Sequence, residues 1–150
     1  MKKFQFKLET VLKMKVRLEE ERQLELYLAE QARLEAERQY ARRGDEIRET
    51  ATSYLKLLKE DFNLRTAGDY NRFLDRLYNL LEQEFRHLCN CRLLAAEARE
   101  RLLIAAKEKK SLEKLKEKAY QEYQTVELHQ DIKFLDEVGT DRFSRREARD

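Results

Sequence analysis

The sequence contains no proline. A helical chain without proline has nothing to force a break, so its helices can run well past the usual three or four turns. Its three glycines, Gly44, Gly68 and Gly139, each stand alone, which excludes a glycine-rich phosphate-cradling loop and nucleotide binding by that route. Cysteine is nearly absent. Cys89 and Cys91 sit two apart, would project in different directions from one helix, and read as free thiols of a reducing compartment. No apolar run approaches the roughly 20 residues that span a bilayer. The opening Met1-Lys2-Lys3-Phe4-Gln5-Phe6-Lys7 is basic but has no apolar stretch behind it, so secretion is not expected. An excess of one charge is missing too: 32 lysines and arginines face 30 acids, leaving nonspecific nucleic-acid binding no support at the level of the whole chain. These absences predict a cytoplasmic protein.

What is present is charge and helical periodicity. Charged residues make up 41% of the 150, the composition of long, solvent-washed helices. From Tyr70 to Val126 the chain carries a seven-residue apolar repeat. One set of seam positions reads Tyr70, Leu77, Glu84, Cys91, Ala98, Ala105, Leu112, Ala119 and Val126; the other reads Leu74, Leu81, Leu88, Ala95, Leu102, Lys109, Lys116 and Tyr123. All but Glu84, Lys109 and Lys116 are apolar, which predicts a coiled-coil helix. At about 1.5 Å per residue it would extend some 80 to 90 Å. A seam that long needs a partner along its length.

The N-terminal half can supply it. Phe4, Leu8, Val11 and Leu18 fall on one helical face; the face thins through Lys15, Arg22 and Glu25, then returns at Ala29, Ala32, Ala36, Ile47, Ala51, Tyr54, Leu58 and Phe62. Because that face resumes without a turn-rich interval, the helix is expected to continue through Gly44. Arg65-Thr66-Ala67-Gly68-Asp69 has the marks of a turn: glycine suits the position after a helix, and aspartate suits the cap of the next. The expected fold is all-α, a long antiparallel two-helix coiled coil. It forms a single hairpin over residues 1–139, with helix 1 over about 4–65, a turn at 66–69, helix 2 over about 70–138 ended by Gly139, and a flexible tail at 140–150. A turn centred near residues 67 and 68 would set Phe62 against Phe73, Tyr54 against Leu81 and Ile47 against Leu88, and would bring Phe4 and Leu8 to the region of Asp131 and Glu127.

Little in the sequence carries catalytic chemistry. Glu84, His87 and Cys91 share a helical face near Cys89, but zinc wants four converging ligands and nothing completes the set. Cys91 then reads as a small seam residue. Acid runs such as Glu19-Glu20-Glu21 read as a solvated face, since a general acid needs a pocket. The segment Lys107 to Lys118 forms a basic collar, with no aromatic residue interleaved for stacking on bases. Lys109 and Lys116, at seam sites, can bury their stems and keep their ammonium groups wet. No enzyme, metal site or cofactor is expected. Phe73, Leu77, Tyr78, Leu80 and Phe85 exceed what one partner helix covers and suit a docking surface or a plug for the turn. Phe134, Leu135 and Val138 make a second apolar patch with Phe4 and Phe6.

The order of these features resembles the flagellar export protein FliJ family. The resemblance rests on Phe4-x-Phe6-x-Leu8-x-x-Val11-Leu12, Tyr70-x-x-Phe73-x-x-x-Leu77-x-x-Leu80, Lys114-Leu115-Lys116-Glu117-Lys118 and Leu135-Asp136-Glu137, and it spans nearly the whole chain. It implies a non-enzymatic, monomeric stalk at the base of the flagellar type III export apparatus. Such a stalk enters the hexameric export ATPase (FliI-like), promotes ring assembly and activity, and links the ring to the export gate protein (FlhA-like) and to export chaperones. Carried over by position, Phe73, Leu77, Leu80 and Glu84 would meet the gate, with Glu84 standing where the family commonly has histidine. Phe4, Phe6, Leu8, Phe134 and Leu135, on the paired termini, would enter the ring. The alternatives are the stalk of a virulence type III secretion system and a structural coiled-coil spacer that self-associates.

Overall fold

The structure is a computed structural model describing residues 3–147. It is all-α, with two long helices packed against each other: α1, Glu9–Glu60, and α2, Leu64–Glu147. Among the described residues there is no strand. Glu9 in the first turn of α1 and Lys59 in its last turn complement the helix dipole. α1 passes unbroken through Gly44, as its resuming apolar face predicts.

The connection lies earlier than the glycine suggests. Asp61–Asn63 join the helices, and Asn63 caps α2: its Oδ1 accepts the Arg65 backbone N–H at 3.0 Å, and its carbonyl accepts from Ala67 N at 2.9 Å. Gly68 therefore sits one turn inside α2. No described residue, glycine included, has positive φ, so a left-handed glycine does not end α1. An asparagine that satisfies the next helix's first free amides does the same work without one.

The earlier turn moves the register. Tyr40 packs on Phe85 with ring centroids 5.7 Å apart, and Tyr54 stacks on Tyr70 at 5.2 Å. Both pairs are centred near Phe62, several residues before the centre that a turn at Gly68 would give. The expected pairs Phe62–Phe73, Tyr54–Leu81 and Ile47–Leu88 are replaced: Phe62 is exposed in the connection, and Leu88 clusters with Ala36 and Cys91, with Tyr40 against them.

The seam of α2 follows the repeat site by site. Every seam position named above from Tyr70 to Tyr123 is buried or half-buried, while Val126 is 55% exposed. Every fully buried side chain among the described residues is apolar, and half of them are alanines (Ala36, Ala67, Ala95, Ala98 and Ala105). Small seam residues let two helix axes approach closely and leave little core volume. In α1 the buried residue near the start is Leu12, and Val11 is exposed.

The chain divides into two compact units, one of Glu20–Ile104 and one of the segments up to Glu19 and from Ala105 onward. In the second unit α1 begins at Glu9, and Phe4, ahead of it, packs edge-on against Tyr120 at 5.2 Å and beside Tyr123 at 5.6 Å. It does not reach Asp131. Past Glu127 the side-chain pairs of the described residues lie within α2: Thr140 Oγ1 to the Asp136 carbonyl at 2.7 Å, Arg145 to Asp141 at 2.9 Å, Ser144 Oγ to the Thr140 carbonyl at 3.0 Å. Gly139 does not stop the helix. An isolated glycine costs about 1 kcal/mol and breaks nothing by itself when no proline follows. The segment expected to be a flexible tail is helical from Thr140 to Glu147; residues 148–150 lie outside the described residues.

Candidate functional site

The three polar interruptions of the α2 seam each meet an opposite charge from α1. Glu84 receives Arg43, whose Nη2 lies 2.9 Å from Oε1. Lys109 Nζ is 2.6 Å from Glu19 Oε2, and Lys116 Nζ is 2.8 Å from Glu9 Oε2. Flanking pairs repeat the pattern: Lys15 with Glu108 at 2.6 Å, Arg92 with Glu37 at 3.5 Å, Arg99 with Glu30, and Arg101 with Glu25 at 3.8 Å. The thin stretch of α1 is thus thin in apolar contacts and dense in charge. Charged seam residues cost stability relative to leucine but penalise every register in which like charges meet or a charge stands alone.

Two carboxyls of α1 are shifted, mainly by arginines of their own helix. Hydrogen bonding from Arg22 holds the Glu25 carboxyl below its ordinary range, with Arg101 adding to the effect, and hydrogen bonding from Arg33 does the same for Glu30, with Arg99 adding. Glu84 keeps the Arg43 guanidinium charged beyond its usual range. The Glu127 carboxylate accepts the Tyr123 hydroxyl at 3.1 Å, which raises the phenol's pKa.

The four positions expected to meet an export gate divide by exposure. Phe73 and Leu80 are about two-fifths exposed and lie outside the seam. Leu77 is 2% exposed, a core residue. Glu84 is occupied by Arg43 from three donor contacts at 2.9 to 3.3 Å. Arg76 stands over the Phe73 ring, 5.8 Å from its centroid.

The five positions expected at the paired termini are not brought together. Phe4 is half-buried against Tyr120 and Tyr123, while Phe6 and Leu8 line an open groove of about 670 Å³ with Leu115, Ala119, Lys7 and Lys118. Phe134 and Leu135 lie about 20 Å further along α2 at the helical rise, exposed at 65% and 66%. Leu128, Ile132 and Phe143 are exposed beside them in sequence. Sequence reading missed these three: their apolar character was visible, but the run of α2 past its partner depends on where the chain turns.

Elsewhere the candidates resolve into structure. Cys91 is buried with Ala36 and Leu88, its Sγ 3.6 Å from His87 Nε2, while Cys89 is exposed. Among the described residues no group of three or more histidines, cysteines or acids is placed to hold a metal, and no helix is long and apolar enough to cross a membrane.

Two antiparallel helices with a charge-matched seam and aromatic and aliphatic side chains left outside it define a coiled-coil interaction protein. Residues 4–148 match the family described as the flagellar FliJ protein, and the chain belongs to that family. It is thereby a protein of flagellar type III export, from a non-catalytic family. Neither a curated protein nor a solved structure matches it.

Proposed function

We propose that the chain is a cytoplasmic stalk at the base of the flagellar export apparatus. It enters the hexameric export ATPase, promotes ring assembly and turnover, and connects the ring to the export gate and to export chaperones. Beyond family membership, the observation that carries this reading is the stretch of α2 past Glu127, where Leu128, Ile132, Phe134, Leu135 and Phe143 stay exposed on a helix that α1 no longer accompanies. An apolar surface of that kind is stable in a functioning protein when a partner covers it.

Chemistry stays in the ring under this reading. A catalytically silent partner biases a cycle only through contacts that differ between the conformations of the ring's subunits. Phe134 and Leu135, with Phe6 and Leu8, are the side chains that make such contacts. On the gate side, Phe73 and Leu80 make the contact, Leu77 supports them from the core, and Glu84 fixes the register beneath them.

The test is ATPase turnover and ring assembly with and without the chain. Wild type is expected to raise both, and Phe134→Ser with Leu135→Ser to lose most of the increase while keeping its helical signal. Equal stimulation by that variant would contradict the assignment. Phe73→Ala with Leu80→Ala is expected to lose gate association and keep stimulation of the ring.

A further inference from the structure

The lysines of Lys107–Lys118 do two different things. Lys109 and Lys116 turn inward to Glu19 and Glu9. Lys107, Lys110, Lys114 and Lys118 are exposed, and none has a carboxylate within ion-pair distance among the described residues. Their spacing of three, four and four residues puts all four on one face of α2, away from the seam, along about 16 Å. Glu117 and Glu122 flank that face without cancelling it. At its far end Lys118 borders the groove whose walls are Phe6, Leu8, Leu115 and Ala119, with Lys7 on the rim.

We infer that this surface is a docking site for an anionic lipid bilayer. Three features select that partner. The cations are lysines, point charges on flexible stems, where recognition of a fixed phosphate or carboxylate favours the bidentate fork of arginine. No aromatic residue lies among the four, so bases have nothing to stack on. The line of charge ends at an open groove with apolar walls, which one further lysine, Lys7, lines together with Glu122, and the boundary between lipid headgroups and acyl chains accommodates apolar side chains beside ammonium groups. Four lysines are few enough for weak, reversible binding, each strengthening attraction to an anionic surface roughly fivefold near the membrane. Phe6 and Leu8 also serve the proposed ring contact. Membrane contact and ring insertion therefore alternate, and the bilayer holds the chain near its machinery while it is out of the ring.

Flotation of the purified full-length chain with vesicles tests this directly. The wild-type chain is expected to float with vesicles containing one third phosphatidylglycerol at low salt, to be released at high salt, and to stay unbound with pure phosphatidylcholine. Replacing the four exposed lysines with glutamine is expected to lower partitioning by at least about fiftyfold. The control Lys56→Gln with Lys59→Gln should leave it unchanged, and circular dichroism should show both variants helical. Absence of flotation with anionic vesicles, equal flotation of the four-lysine variant, or tighter binding to RNA homopolymer than to vesicles would each overturn the assignment. None of these readouts involves ATPase stimulation, so the stalk reading stands or falls separately.

Discussion

Arg43 crosses from α1 to close over Glu84, with Nη2 2.9 Å from one carboxylate oxygen, while its Nη1 holds Glu46 on its own helix at 2.6 Å. One guanidinium thus ties a neighbouring turn and a seam site together. Reversing the charge of Glu84 (Glu84→Lys) is expected to lower the melting temperature. Adding Arg43→Glu should recover part of the loss, giving a favourable coupling in a double-mutant cycle read by circular dichroism. Simple additivity would show that the pair does not hold the register.

The apolar seam is thin enough that single truncations should separate core from surface. Leu77→Ala and Leu88→Ala, each at a site 2% exposed, are expected to cost about 2 to 3 kcal/mol, the lower part of the usual range because few neighbours line so narrow a core. Leu93→Ala, at a site 58% exposed, should change stability by less than about 0.5 kcal/mol. Urea unfolding measures all three.

Acid should weaken the seam through Glu25 and Glu30. Their folded-state pKa values lie below the ordinary carboxylate value because of Arg22 and Arg33, with Arg101 and Arg99 adding. The stability they contribute is therefore fully present above the unfolded value of about 4.3 and is lost as pH falls through the depressed folded values. Melting temperature followed from neutral pH down to strong acid should drop in that window. The slope should be shallower in Glu25→Gln with Glu30→Gln.

Gly139 and Gly44 both lie inside helices, and an added Cβ would meet nothing within 4 Å at either. Gly44→Ala is expected to stabilise the protein by about 0.5 to 1 kcal/mol, measured by thermal unfolding. Gly139→Ala should act locally, slowing amide exchange around residues 136–143. A loss of stability at Gly44→Ala would mean that α1 bends there.

The helix faces were legible because the seven-residue repeat is a property of the chain alone: Leu74, Leu81, Leu88 and Leu102 announce their burial without reference to any partner. The register was not. It depends on where the chain turns: Gly68-Asp69 has the residue types of a turn, yet the chain turns at Asp61–Asn63, where an asparagine cap needs no glycine. That displacement moved every cross-helix pair and hid the overhang of α2, since a later turn would have carried Phe4 alongside Glu127 and Asp131. Glu84, Lys109 and Lys116 were visible as interruptions of the seam. Their partners Arg43, Glu19 and Glu9 became identifiable only with the register. Leu77 belongs to the seven-residue repeat and Phe73 and Leu80 do not, so the burial of the first and the exposure of the other two follow the sequence pattern.

α1 and α2 of one molecule pair about the Asp61–Asn63 connection, and every cross-helix contact follows from that pairing. Spin labels at positions 37 and 92, where Glu37 meets Arg92 at 3.5 Å, test it most directly in a cysteine-free background. With helix axes roughly 10 Å apart, the labels should give one short distance, below about 20 Å, that persists when labelled protein is diluted with unlabelled protein. A long distance, or a short one that disappears on dilution, would contradict the account.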